Sequence, residues 1–223
     1  MLPWTLLATA TIPGDGEEMR LYRRGGEFSI RVSSYELMNS RVHGSEDALS
    51  TLVADRLRDP ASARVLIGGL GMGFTLAAML ARVGPRSSVV VAELLPEVVE
   101  WNRGVMAEIN GAALKDKRVT VRVADVASLI IGAKDAFDAI VLDVDNGPAA
   151  LTAKDNNRLY TSAGLRAAFT ALREGGMLAI WSASEDAAFT KKLRRAGFSA
   201  EEHQVRGGKG GKGNRFLVWL ARR

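Results

Sequence analysis

The chain contains no cysteine. Disulfides, thiol nucleophiles and cysteine-ligated zinc are therefore excluded, and a reducing compartment suits the composition. Long apolar runs are also absent, so no segment reads as a bilayer span. Met1 to Ala10 is apolar, but no basic stretch precedes it, Pro3 interrupts it and no small-residue cleavage site follows. Neither a secretory signal nor membrane partnership is expected, and the reading is a soluble cytoplasmic protein. No Gly-x-Ser-x-Gly elbow and no phosphate-binding P-loop appear, which removes two common catalytic frameworks.

What is present suits one domain with a small appendage: 223 residues, 47% of them hydrophobic and 25% charged. The net charge of +5 permits an acidic partner without demanding one. The basic residues are dispersed, and the densest group is the Gly/Lys/Arg stretch Arg206–Arg215. A solvated basic surface therefore explains the charge better than a nucleic-acid footprint, and no nucleic-acid partner is expected. The stretch itself reads as a hairpin tip, with a lid that recruits an anionic substrate as the sharper alternative.

Residues 1–40 are read as a small β-hairpin module and residues 41–223 as an α/β domain. Trp4–Ile12 fits a strand, and Met19–Arg24 and Glu27–Val32 flank a Gly25-Gly26 turn. A helix starts at Ser45, which can cap it, and ends at Asp59-Pro60. Strand and helix then alternate. Strands are expected over Arg64–Ile67, Ser88–Ala92, Val119–Val123, Phe137–Leu142 and Met177–Trp181. Helices are expected over Phe74–Val83, Pro96 to Ile109, Ser162–Arg173 (stopped by Gly175-Gly176) and Glu185–Ala196. Phe198–Val205 and Phe216–Ala221 have only the Gly/Lys/Arg loop between them, so they must pair antiparallel. Parallel strands ending in an antiparallel hairpin make a Rossmann-like methyltransferase sheet, whereas a dinucleotide dehydrogenase needs a second βαβ half.

Gly68-Gly69-Leu70-Gly71-Met72-Gly73 follows the first parallel strand and opens a helix, the context of a nucleotide loop. Its glycine spacing is tighter than the dinucleotide fingerprint, which suits S-adenosylmethionine, a ligand without pyrophosphate. Glu93 ends the second strand and is placed to accept from ribose hydroxyls. Asp125 ends the third strand, where it can accept from the adenine amino group while Val126 packs the ring, or cap the next short helix. The fourth strand ends in Asp143-Val144-Asp145-Asn146-Gly147-Pro148, at the sheet edge where ligands of open α/β sheets sit. Asp143, Asp145 and His43 are the candidate bases, and Asn146, Tyr160, Trp181 and Arg41 the candidate substrate contacts. Asp143, Asp145 and Asn146 could ligate magnesium, but no second acid-bearing strand end completes such a site, so no metal is expected.

On these residues the chain resembles the spermidine synthase-like branch of the S-adenosylmethionine-dependent methyltransferase superfamily. The likeness runs from about residue 18 to 182. It includes Val65–Gly73, Val90–Glu93, Asp125, Gly147-Pro148-Ala149, Leu151, Leu159-Tyr160, Leu172 and Gly176. The resemblance implies cofactor contacts from the glycine loop, Glu93, Asp125 and Asp143, and makes a homodimer plausible. It also implies acids that hold and deprotonate an attacking amine. Here Asp143 matches the first, but Asn146 stands at the second and Gly-Pro follows two residues early. Arg41 and His43 lie where the family carries an acidic, tyrosine-containing segment, and Trp181 replaces a glutamine. On these departures the diamine site reads as lost. The expectation is methyl transfer from S-adenosylmethionine to a small molecule. Aminopropyl transfer from decarboxylated S-adenosylmethionine, with methylthioadenosine as by-product, is the alternative, and RNA binding or modification a further one.

Overall fold

The computed structural model describes residues 2–14, 16–144, 156–208 and 212–223. Its N-terminal part is an antiparallel sheet of four strands in sequential order: β1 (Thr5–Thr11), β2 (Glu18–Arg24), β3 (Glu27–Val32) and β4 (Tyr35–Asn39). The expected hairpin is β2–β3. The fourth strand was not legible, because the turn before it uses Ser33 in a left-handed conformation (φ 52°) in place of a glycine.

The rest is a seven-stranded sheet in the order β10-β11-β9-β8-β5-β6-β7. Its parallel strands are β5 (Arg64–Gly68), β6 (Ser88–Glu93), β7 (Val119–Val123), β8 (Phe137–Leu142) and β9 (Leu172–Ser182). The antiparallel pair is β10 (Ser199–Gly208) and β11 (Lys212–Arg222), with β11 also antiparallel to β9. Among the described residues, α1 (Gly44–Ala54), α2 (Phe74–Leu80), α3 (Pro96–Arg103), α4 (Val126–Ile131), α5 (Ser162–Ala171) and α6 (Ala187–Arg195) lie in the connections. This is the Rossmann-like sheet with a C-terminal antiparallel hairpin that the strand pattern indicated. Among the described residues no helix is long and apolar enough to cross a membrane.

The sheet separates two apolar layers. On one face Leu49, Val53, Val65, Ile67, Met79 and Val91 pack together with Leu21, Phe28 and Ile30 of the N-terminal sheet. That layer therefore spans both parts of the chain, and burying it is the main force holding the N-terminal sheet in place. On the other face Ile140, Leu165, Leu178, Phe189 and Trp219 form the second layer. Trp219 is fully buried and donates its indole N–H to Thr190 at 2.8 Å, so its polar atom carries no burial penalty.

Four local expectations are corrected. α1 is not capped by Ser45: it begins at Gly44 after His43, and the Ser45 hydroxyl donates to Glu46 at 2.6 Å. α1 also ends at Ala54, before Asp59-Pro60. α3 ends at Arg103, where Gly104 (φ −105°, ψ −107°) leaves the helix. Gly175-Gly176 does not stop a helix. The pair lies within β9, between the partners Phe137↔Leu172 and Ala139↔Met177, where the register shifts and Gly175 takes φ 74°.

The start of α1 lies directly under the last hairpin. A Cβ on Gly44 would stand 2.9–3.1 Å from the carbonyl oxygens of Arg206, Gly207 and Gly208. These are backbone atoms and cannot rotate away. Gly44→Ala is expected to lower stability by about 1–3 kcal/mol through overpacking, read as a lower urea midpoint with an unchanged slope. An unshifted midpoint would mean that the hairpin does not seat on the helix.

Candidate functional site

The carboxyl ends of β5, β6 and β8 meet around Gly68–Gly73. Gly69, Gly71 and Gly73 all take left-handed backbone, with φ of 85°, 51° and 82°. Crowding adds to this constraint. A Cβ on Gly69 would lie 2.5 Å from the Asp143 carbonyl oxygen, one on Gly71 would meet the Met38 sulfur of β4 at 2.9 Å, and one on Gly73 would meet Asn110 and Asn102 at 2.8 and 2.9 Å. The glycines are thus required by the protein's own packing, before any ligand is considered. Val126 closes the strand side of Gly68, its methyls 3.0–3.2 Å from a Cβ placed there.

A polar frame fixes the loop. Glu93 ends β6, and its carboxylate accepts from the Leu70 N–H and the Leu95 N–H, each at 2.9 Å. Burial pushes the Glu93 carboxyl above its ordinary range, and the backbone N–H donors oppose that shift. Each of its oxygens keeps a lone pair for a further donor. Behind the loop, buried Asn102 donates to the Gly71 carbonyl at 2.8 Å, and buried Asn110 donates to the Met72 carbonyl at 3.0 Å and to Asn102 at 2.7 Å. Sequence reading did not single out these asparagines. Their one signal is an unusual placement: amides on and just after an otherwise amphipathic helix.

Asp125 caps α4, accepting from the Ala127 N–H at 2.7 Å, and its other carboxylate oxygen pairs with Arg158. The capping alternative is therefore realised, and the acid keeps lone pairs for a ligand. Asp143 follows β8 and accepts from the Thr75 hydroxyl. Thr75 is held in turn from α1, since Ser50 donates to the Thr75 carbonyl at 2.8 Å.

The sequence reading overlooked an acid one turn before Ser50 on α1, the helix tied to Asp143 through Thr75. Glu46, on the first turn of α1, is 8% exposed. Burial, and then the charge of Asp143, push its carboxyl up to about 7, while the Ser45 hydroxyl opposes the shift. Burial also raises Asp143, against the Thr75 hydroxyl. Among the described residues no lysine, arginine or histidine forms an ion pair with either acid. Two neighbouring carboxylates without a countercation favour retention of a proton or capture of a cation.

The other candidates lie around this centre or away from it. His43 precedes α1, stacks on Phe74 (centroids 4.3 Å apart) and meets Asp47 at 3.1 Å, so its contacts are structural. Arg41 is exposed and faces Glu27 at 3.6 Å. Trp181, at the end of β9, packs against Phe216 at 5.0 Å, and its buried indole N–H has no acceptor among the described residues. Tyr160 is buried edge-on against Phe189 in the second apolar layer. Leu70 is buried within the loop. Asp145 and Asn146 lie outside the described residues.

Comparison with known proteins places this arrangement. Residues 55–195 match the family described as the spermine/spermidine synthase domain. A protein of Mycobacterium tuberculosis named polyamine aminopropyltransferase is 27% identical over 199 residues, 85% of this chain and 35% of its own length. One of the same name from Corynebacterium efficiens is 30% identical over 173 residues, 76% of this chain and 30% of its own length. The chain thus spans about a third of the length of these curated relatives. The spermidine synthase structure from Thermotoga maritima shares the fold, with a TM-score of 0.74 at 16% identity over 97% of this chain and 72% of that one. These matches overturn methyl transfer as the main reading. That reading rests on Asn146 at the second acid position, on Arg41 and His43 in place of an acidic segment and on Trp181 in place of a glutamine, and it passes over Glu46 of α1, whose carboxyl feels the charge of Asp143.

Asn102→Ala would leave the Gly71 carbonyl and one Asn110 donor short of partners, at about 1–3 kcal/mol. Faster amide exchange at Leu70 and Gly73 than in the parent protein is expected, and unchanged protection would show that the frame does not hold the loop. Glu46 gives a pH prediction. Its folded value stands above the ordinary 4.5, so its stabilising contribution is complete below that pH and is lost as pH rises through about 7. Melting temperatures of the parent protein and Glu46→Gln should therefore diverge across that window, with the Gln form favoured at the alkaline end. Parallel curves would contradict the burial of this acid.

Proposed function

The chain belongs to the spermine/spermidine synthase family, and from that premise we propose that it transfers an aminopropyl group from decarboxylated S-adenosylmethionine to an amine. One observation carries the reading: the carboxyl ends of β5 and β8 are lined by acids, Asp143 and Glu46, that no basic side chain among the described residues neutralises. A cationic amine and the ammonium of an aminopropyl tail are both attracted to such a centre. S-adenosylmethionine itself would bring a carboxylate to the same place and meet like charge. The electrostatics therefore favour the decarboxylated donor, in agreement with the names of the curated relatives.

The donor set fits the nucleoside. Glu93 has lone pairs for the ribose hydroxyls, and the loop Gly68, Gly69, Leu70, Gly71 and Gly73 sets the floor beneath them. Asp125 and Val126 stand beside the adenine position, Asp125 held by Arg158 and the start of α4. Asp143 faces the aminopropyl end. Since the sulfonium already activates the carbon, these residues mainly align the amine with it and keep water away.

Incubation with decarboxylated S-adenosylmethionine and a series of straight-chain diamines, followed by mass spectrometry, tests the proposal. Methylthioadenosine and an amine heavier by one aminopropyl group are expected together. With S-adenosylmethionine no methylated amine should form. A methylated product, or no product from folded protein across the amine series, would defeat it.

A further inference from the structure

In the family pattern, the segment after the fourth parallel strand carries two acids that hold the attacking amine. Here the second position is Asn146, an amide that cannot take the amine's proton. The structure supplies a second acid from another element. Glu46 lies one turn into α1, and the helix is tied to the strand-end loop through Ser50, Thr75 and Asp143. Its burial leaves little contact with bulk water, and Ser45 is the one side chain among the described residues that donates to it.

Among the described residues, the cations on the elements packed against α1 are engaged elsewhere or exposed, and none pairs with Glu46 or Asp143. On α1, His43 is engaged by Asp47, and α2 contributes Thr75 but no ionisable side chain. Of the strands packed on α1, β9 pairs Arg173 with Asp138 and leaves Glu174 exposed. On β10, Glu201 pairs with His203, Glu202 accepts from Thr190, and Arg206 donates to the Gly213 carbonyl. On β11, Arg222 donates to the Gly175 carbonyl, and Lys212 and Arg215 are exposed. The charges acting on Glu46 are those of Asp143 and Asp47, both negative.

We infer that Glu46 and Asp143 together form the seat of the acceptor amine, with Glu46 in place of the acid missing at Asn146 and acting as the proton acceptor. The inference rests on the aminopropyl-transfer reading above. A primary ammonium has three N–H donors and one charge, which suits two carboxylates held apart on different elements. In the step itself, the ammonium gives one proton to Glu46 and its nitrogen becomes neutral. The nitrogen lone pair then forms a bond to the aminopropyl carbon next to sulfur. The carbon–sulfur bond breaks, its electron pair stays on sulfur, and the sulfonium becomes the neutral thioether of methylthioadenosine. The product leaves as a secondary ammonium, and Glu46 gives the proton it accepted to solvent, which restores the carboxylate.

Calorimetric titration of butane-1,4-diamine into the full chain saturated with methylthioadenosine tests the seat, with Glu46→Gln and Glu46→Asp alongside. Roughly tenfold or greater weakening is expected for Gln, because one side of a buried charge pairing is removed, with partial recovery for Asp. Near pH 7, where about half of the Glu46 carboxyls hold a proton, binding to the parent protein should release up to about half a proton, seen as a dependence of heat on buffer ionisation, and the Gln variant should lose this release. Equal affinity and equal proton release in parent and Gln forms would overturn the inference, as would a parent protein that does not bind the diamine. Product assays separate the two claims. Diamine binding that needs Glu46 but yields no aminopropyl product would remove the transfer reading and leave the seat. Product formed by Glu46→Gln with the parent's kcat/KM and pH profile would remove the seat and leave the transfer reading.

Discussion

The Asp143 carbonyl oxygen lies 2.5 Å from where a side chain on residue 69 would begin. That contact joins the ends of two adjacent parallel strands, and the site's other parts follow from it. Gly69 must be glycine, so the loop can turn in left-handed backbone and deliver Leu70 to the Glu93 carboxylate. The turn launches α2 with Thr75 directed at Asp143, and Thr75 anchors Ser50 of α1. α1 in turn brings Glu46. The fixed glycine loop and the acidic centre are thus consequences of one close approach between strand ends, the edge at which open α/β sheets collect ligands.

Burying Glu46 near a second, partly buried acid, with no countercation among the described residues, is unfavourable for the folded protein, and the rise of Glu46 to about 7 reflects that penalty. Functional centres often retain strain of this kind, because the arrangement that destabilises the empty protein is relieved by the ligand. The large shared core offsets it: the apolar layer beneath the site runs continuously from Leu21 and Ile30 to Val91 and Val218.

Much of the sheet was legible because continuous apolar strands and a helix-free final link leave few arrangements open. The strand-end acids Glu93, Asp125 and Asp143 were legible for the same reason, since their positions follow from where each strand stops. Features that depend on meetings between distant segments were not. Glu46 reads as a favourable first-turn acid on an amphipathic helix, and nothing local reveals that Asp143 waits beside it. Asn102 and Asn110 likewise look like ordinary polar positions until the loop they support is in place. The β4 strand and the Gly175-Gly176 bulge were obscured by turn chemistry, a serine where glycine is usual and glycines where a strand continues.

The contact at Gly44 bears on how the molecule is made. The carbonyls of residues 206–208 cover the start of the helix that carries Glu46. Those groups leave the ribosome long after the glycine loop and Glu93 have been synthesised. The partners of the glycine loop are therefore all synthesised early, whereas the turn bearing Glu46 gains its final cover only when β10 and β11 close over it. Such a late, long-range closure is slow relative to local folding. The acidic centre thus depends on cover from the last two strands of the sheet, whereas the glycine loop is held by residues that precede them.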